Sequence, residues 1–191
     1  YSLAPPADSE KVTVTVKLPK ELQARRMQVI YRSTRCTFTD HTASGKSYQR
    51  DGYQRSDKEL MRQGQSDFYV AKVPMDGGGA CRWRLSNLTF GVKYGEPTLF
   101  GENVTFGAGG GVTVIFDRNN SPRGGANIKV DGDLAIKKDY YPWVSESFIG
   151  KYKKDVNLLS EGPDYFLTYQ ALQARQVYFE PILHTDLLIS S

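Results

Sequence analysis

The chain has 191 residues, of which 39% are hydrophobic and 24% are charged. This balance supports one ordinary hydrophobic core and excludes a disordered chain. Apolar runs such as Val112–Phe116 are far shorter than the roughly 20 residues that a membrane-spanning helix needs. Abundant glycine, proline, tyrosine and phenylalanine, with valine and threonine in short runs, favour β-structure over helix.

Positive charge is concentrated in the first half of the chain. The net charge is +4; residues 1–95 hold 16 Lys and Arg against 9 Asp and Glu, whereas residues 96–191 hold 9 against 12. The two halves therefore carry +7 and −3. This asymmetry predicts a basic face, which suits nucleic acid, anionic headgroups or an acidic protein, and equally a solvated surface.

The first elements are two strands. Within Glu10–Leu18, valines alternate with threonines and lysine, which is the period of a half-buried strand. Residues 20–26 form a polar connection with room for one helical turn, and residues 27–38 are a second extended run. Residues 39–67 contain almost no aliphatic side chain, so we expect a functional or mobile loop there. Within that loop, Ser56–Glu59 has the spacing of a capping box, which predicts one short helix.

Strand signals return after this polar segment. They occur at residues 68–73, 80–94, 98–100, 103–106 and 112–116, with a glycine-rich turn at 107–111. Residues 126–130 and 134–138 flank Asp131-Gly132-Asp133, which predicts a β-hairpin. Residues 165–178 fit helix and strand equally, and residues 177–183 indicate a closing strand that contains Pro181.

These elements predict an all-β fold, an antiparallel β-sandwich of the immunoglobulin or transthyretin type with one or two short helices. We expect residues 1–9 to be a flexible N-terminal tether and residues 10–191 to form a single domain, because no linker or repeat divides the chain. The chain opens on Tyr1, and we expect that a signal segment was removed or the chain trimmed.

The two cysteines, Cys36 and Cys81, each lie in a segment that resembles a strand. In an oxidising compartment such a pair closes into a disulfide, whereas in the cytosol both would be free thiols. We predict the disulfide. The tether and the cysteine pair together favour a secreted or periplasmic protein.

Catalytic patterns are scarce. The two histidines, His41 and His184, have no metal-ligand spacing around them, and no nucleophile elbow or phosphate-binding loop is present. We therefore expect no enzyme activity, no metal and no cofactor. A pair of carboxylates acting on a glycan remains an alternative that sequence does not exclude.

Arginine and aromatic residues alternate in two places. One is Arg82-Trp83-Arg84, where alternation places Trp83 on the face of Cys81, as in a sandwich core, so we expect no nucleic-acid partner. The other lies in the polar segment Asp40–Arg62, and it predicts a contact surface for a protein partner. The candidate anchors are Tyr48, Arg50, Tyr53 and Arg55. The next candidates are the loop tips at residues 77–79 and 119–125.

The tether Ser2–Ser9, the single cysteine pair and the sandwich-like strands together resemble small bacterial envelope lipoproteins. Some members of that class are immunity proteins that neutralise toxic effectors of type VI secretion, including phospholipases. The resemblance implies a periplasmic binding protein that occludes a toxic effector enzyme and meets the membrane only through an N-terminal lipid anchor, at the outer membrane. The lipid-bearing cysteine is absent from this sequence. Two alternatives stay open, a protein that binds or hydrolyses an envelope polymer and a structural or adhesive surface module.

Overall fold

The structure is a computed structural model, and it describes residues 2–95, 104–106, 109–122, 124–126, 128–148, 150, 152–160, 166–184 and 189–190. The described residues form sixteen strands and no helix, so the all-β prediction is confirmed. In chain order the strands are β1 (Lys11–Lys17), β2 (Leu22–Ala24), β3 (Met27–His41), β4 (Ser47–Lys58), β5 (Met61–Arg62), β6 (Phe68–Pro74), β7 (Asp76–Gly78), β8 (Trp83–Tyr94), β9 (Val104–Phe106), β10 (Gly110–Ile115), β11 (Ile128–Lys129), β12 (Leu134–Ser147), β13 (Lys153–Ser160), β14 (Phe166–Gln170), β15 (Gln176–Leu183) and β16 (Ile189–Ser190). This part of the chain offers no helical segment that could cross a bilayer.

The strands form two sheets. The first has the order β5-β6-β1-β15-β12-β13-β9, with β16 also paired to β12. The second has the order β11-β14-β10-β8-β3-β4, with β2 and β7 paired to β8. Both sheets are mixed, because β15 runs parallel to β1 and β12, and β14 runs parallel to β10. The prediction of a purely antiparallel arrangement is therefore wrong.

The two sheets share one hydrophobic core. Val12, Val14 and Val16 of β1 are at most 1% exposed, as the alternation predicts. Phe90 of β8 contacts Phe179 of β15 edge to face, with ring centroids 5.7 Å apart, so side chains of the two sheets meet directly. Trp83 also belongs to this core, as predicted.

Two helix predictions are wrong for a common reason. Residues 56–58, where the capping box would start a helix, belong to β4 and pair with residues 27–29 of β3. Residues 22–24, within the connection that had room for a helical turn, form β2 and pair with β8. In both places an available strand partner outweighs a local helix signal.

The hairpin predicted around Asp131-Gly132-Asp133 is also wrong. Residues 128–129 pair with β14 in the second sheet, whereas residues 134–140 pair with β15 in the first sheet. The turn therefore carries the chain from one sheet to the other. Asp133 at the end of this turn is held by two hydrogen bonds. Its carboxylate accepts them from the backbone N–H groups of Arg175 and Gln176, at 2.8 and 3.1 Å.

The sequence also made predictions for residues 165–178, for residues 98–111 and for the tether. Of the ambiguous residues 165–178, residues 166–170 and 176–178 are strands and residues 171–175 connect them, whereas residue 165 lies outside the described residues. The predicted strand at residues 98–100 and the first two residues of the turn at 107–111 lie outside the described residues. Within the predicted tether, the N–H of Ala4 donates to the carbonyl of Gly77 at 2.9 Å, and Leu3 packs against the core.

Candidate functional site: a hairpin arm with an aromatic face

The polar segment predicted as a loop is largely a β-hairpin. Strands β3 and β4 pair from Met27 and Lys58 to His41 and Ser47, and a turn at residues 42–46 joins them. We call the outer part, residues 37–51, the hairpin arm. Nearly every residue of the arm is exposed on both faces of the ribbon. A segment of this kind has no apolar face to bury, so it lacks the hydrophobic alternation that identifies a strand.

The arm begins at a bulge that is held by hydrogen bonds of the Ser33 hydroxyl. Ser33 pairs with Gly52 and Thr37 pairs with Asp51, so residues 34–36 have no partner on β4. The Ser33 hydroxyl accepts the backbone N–H of Cys36 at 2.9 Å and donates to the carbonyl of Cys81 at 2.5 Å.

The disulfide between Cys36 and Cys81 joins this bulge to the turn before β8, with Cα atoms 5.4 Å apart, which confirms the predicted pairing. Cys36 lies in β3, as expected for a strand segment, whereas Cys81 lies in the turn. The base of the arm is therefore tied covalently to the sheet beneath it.

One face of the hairpin formed by β3 and β4 carries three exposed aromatic side chains, Phe38 and Tyr48 of the arm and Tyr53 just below it. The register places Phe38 opposite Arg50 and Asp40 opposite Tyr48. The Phe38 and Tyr53 rings meet edge to face, with centroids 5.9 Å apart. The Arg50 guanidinium lies over the Phe38 ring, 5.5 Å from its centroid, a cation–π geometry. We call this set, residues 38, 40, 48, 50 and 53, the aromatic face.

The rings of the aromatic face are open to solvent. Phe38, Tyr48 and Tyr53 are 36%, 42% and 58% exposed. Because Phe38, Tyr53 and Arg50 already brace one another, little side-chain entropy is left to lose when a partner covers them. Adjacent rings and an arginine are the side chains that most often carry binding energy at protein interfaces.

Arg50 is held by a carboxylate of the same face. Its Nη1 lies 2.8 Å from Oδ2 of Asp40. The hydrogen bond from Arg50, with a second from the backbone N–H of His41, lowers the pKa of the Asp40 carboxyl below its ordinary value. The pair leaves this part of the face nearly neutral and fixes the guanidinium over the Phe38 ring.

A groove runs beside the aromatic face. It has a volume of about 540 Å³, and residues 119–122 form its opposite wall. Its floor includes Ile30 and Arg32, which lie on the same outer face of the second sheet. The Arg32 guanidinium donates to the carbonyl of Asn120 at 3.0 Å, which ties the opposite wall to the sheet.

The structure brings together three of the four predicted anchors. Tyr48, Arg50 and Tyr53 belong to the aromatic face, and the last two line the groove. Arg55 points to the same side of the sheet, opposite Ile30, but its Nε lies 3.5 Å from the carboxylate of Asp57 and it does not line the groove.

Sequence reasoning missed Phe38, Asp40 and Arg32 as members of this site. Their spacing in the sequence is the signal that could have identified them. Phe38 and Asp40 are two residues apart before Ser44-Gly45, and Tyr48 and Arg50 are two residues apart after it, as for residues on one face of a hairpin. The loop at residues 119–125, a second choice in the sequence, supplies part of the groove wall.

The histidines do not build a metal centre. Among the described residues, no group of three or more His, Cys, Asp or Glu side chains could hold a metal ion. His184 instead pairs with Asp139, with Nε2 2.8 Å from Oδ1, and its ring stacks on Tyr141.

Comparison of the chain with protein-family models, with curated proteins and with solved structures finds no match. The arm and the groove are therefore the features of this chain that indicate a function.

Proposed function

We propose that the protein works by binding a protein partner through the aromatic face of the hairpin arm. The observation that carries this proposal is the cluster of Phe38, Arg50 and Tyr53, whose side chains contact one another in solvent on a ribbon that has no core to cover. Exposed rings of this kind cost solubility unless a partner covers them. The groove beside the face admits a side chain or loop of that partner.

The partner that we propose is a toxic effector enzyme, which the arm neutralises by occluding its active site. A ribbon that is narrow and exposed on both faces fits a cleft better than a flat surface. The arm's covalent anchor at Cys36 keeps it rigid enough to block a cleft. In this account the protein itself catalyses no reaction and acts as an immunity protein.

The disulfide supports an oxidising compartment, and we propose the periplasm. Residues 1–9 would then follow a lipid anchor in the outer membrane. We also propose that the two sheets form a β-sandwich of the immunoglobulin or transthyretin type, an arrangement supported by the contact of Phe90 with Phe179 between the sheets.

Protection of cells tests this function. Each toxic hydrolase encoded beside this gene would be exported to the periplasm of a host cell, one at a time. Growth would be compared in cells with and without this protein. We expect the chain to restore growth against one of them. A double variant, Phe38→Ser with Tyr53→Ser, should lose protection while it stays folded.

The matched control is Phe68→Ser with Tyr152→Ser, which removes rings of 39% and 56% exposure that lie outside the arm. This variant should protect like the unchanged chain. Protection that survives the arm variant would overturn the arm as the contact surface. Hydrolysis of peptidoglycan or phospholipid by the chain itself, lost on changing one Asp, Glu or His, would overturn the binding function.

A further inference from the structure

Three arginines lie together on the outer face of the second sheet, at the base of the arm. They are Arg32, Arg82 and Arg84. Arg84 of β8 and Arg32 of β3 lie directly opposite each other on neighbouring strands. Residues in this position have Cβ atoms about 5 Å apart, and like charges on such a pair destabilise a sheet. The hydrogen bond from Arg32 to the Asn120 carbonyl offsets only part of this repulsion, because the carbonyl carries no net charge.

Arg82 adds a third guanidinium to the same place, and its backbone is strained. Its φ of 51° is the one positive value among the described residues other than glycine. An L-residue is disfavoured in this left-handed region relative to glycine. Strain of this kind is typical of residues that are held in place for binding.

These arginines have no anionic partner within the described part of the chain. Neither Arg82 nor Arg84 contacts a carboxylate within 4.0 Å there. Arg32 donates to two neutral oxygens, Oγ of Ser86 at 3.1 Å and the Asn120 carbonyl at 3.0 Å. Asp76 lies opposite Arg84 on β7, but its carboxylate accepts the N–H of Gly78.

All three side chains line one pocket of about 230 Å³. Thr34 and Asn119 add polar groups to its wall, and two carboxylates, Asp51 and Asp117, also border it. Asp117 is occupied by hydrogen bonds from the backbone and side-chain nitrogens of Asn119, both at 2.9 Å. Three guanidinium groups against two carboxylates leave the pocket with a net positive charge.

We propose that this pocket binds a phosphate group. Guanidinium groups donate paired hydrogen bonds to phosphate oxygens, and groups that approach from β3, from β8 and from the turn before β8 suit a tetrahedral anion. A bound phosphate would also relieve the repulsion between Arg32 and Arg84. The pocket shares Arg32 and Asn119 with the groove but contains no residue of the aromatic face, so phosphate binding can be tested separately from the function proposed above.

Thermal unfolding with inorganic phosphate, at ionic strength held constant with chloride, tests the site. The wild-type chain should show a saturable rise in Tm. Arg84→Gln should weaken phosphate binding at least about tenfold, as expected for the loss of charge-assisted hydrogen bonds. Arg82→Asn should weaken binding similarly without lowering the Tm of the free protein, because asparagine tolerates the left-handed backbone better than arginine.

Arg26→Gln is the matched control, since it removes an equal charge from an exposed pair with Glu59. This variant should bind phosphate like the wild type. Two further ligands distinguish the source of the phosphate. Binding of glycerol phosphate without binding of phosphatidylglycerol vesicles assigns a soluble ester, whereas vesicle binding that phosphate competes away assigns a lipid headgroup. A wild-type Tm that shows no saturable response to phosphate would overturn the proposal, and so would a phosphate affinity in Arg82→Asn and Arg84→Gln that equals the wild-type affinity.

Discussion

The carbonyl oxygen of Cys36 lies directly against the Cα of Gly52, so that a Cβ on residue 52 would collide with it. Gly52 pairs with Ser33 at the point where the bulge of residues 34–36 begins. The close approach lets the bulge fold over β4, which in turn brings Cys36 within reach of Cys81. A glycine on one strand and a disulfide on the other therefore set the direction of the hairpin arm together.

Gly52→Ala is expected to destabilise the protein by about 2 to 3 kcal/mol, as in other overpacked sites, because the obstructing atom belongs to the backbone and cannot rotate away. Urea unfolding measures the effect. Gly125→Ala is the control, because an added Cβ there would meet the side chain of Asn120 at 3.1 Å, which can move. Equal stability of the two variants would contradict this account of the bulge.

Reduction of the disulfide is expected to lower the free energy of unfolding by about 4 kcal/mol, from the chain entropy of a loop of this length. The two cysteines are 45 residues apart in sequence. Urea unfolding with and without reductant measures the change, and a Cys36→Ala, Cys81→Ala variant should not respond to reductant. Two alkylated thiols in the native, unreduced protein would refute the bond itself.

The core strands could be predicted from sequence because each has one buried face. Val12, Val14 and Val16 alternate with polar residues, and the strand period is visible without any tertiary information. The cysteine pair was equally accessible, since two cysteines allow a single connectivity.

The arm and the crossover could not be predicted, for a different reason in each case. Residues 37–51 are exposed on both faces, so nothing in their pattern separates a ribbon from a loop. The turn at residues 131–133 has ideal hairpin chemistry, but its flanking strands find partners in different sheets. Sheet membership depends on contacts between distant segments, and those leave no local signal.

Asp40 should titrate below the ordinary aspartate range, because Arg50 and the His41 N–H stabilise its charged form. A lowered pKa in the folded state contributes stability above the unfolded value of 3.8, and this contribution is lost as pH falls through the folded pKa. Carboxyl NMR titration measures the folded value. In Arg50→Gln the pKa of Asp40 should rise toward 3.8; an unchanged pKa would show that Arg50 is not its main partner.

Tyr140→Phe is expected to stabilise the protein by about 1 kcal/mol, because its hydroxyl is buried and has no hydrogen-bond partner among the described residues. Tyr31→Phe is the opposite case. The Tyr31 hydroxyl donates to the carbonyl of Pro74 at 2.6 Å, so its removal should cost about 1 kcal/mol. Thermal unfolding of both variants checks the signs, and destabilisation of Tyr140→Phe would reveal a partner for its hydroxyl.

Charge on the hairpin formed by β3 and β4 should affect the rate of association with an acidic partner. Arg50→Ala leaves Asp40 without its cation, and Arg55→Ala does the same to Asp57, so each change makes the hairpin more negative. The double variant should associate more slowly and show a weaker dependence on salt. Stopped-flow mixing at several salt concentrations checks this, and an unchanged rate at low salt would show that these arginines do not steer the partner.

The dissociation constant of the complex with the effector found in the protection assay is the sharpest test of the aromatic face as the binding surface. Calorimetric titration should show that Tyr53→Ala weakens the binding free energy by about 1 to 3 kcal/mol, with a corresponding rise in Kd. We expect this loss to arise mainly from faster dissociation. Phe38→Ala should have a similar effect, because Phe38 supports the Tyr53 ring, while Phe68→Ala should leave the Kd unchanged. A Kd equal to that of the wild type for folded Tyr53→Ala and Phe38→Ala would contradict the assignment of the aromatic face as the binding surface.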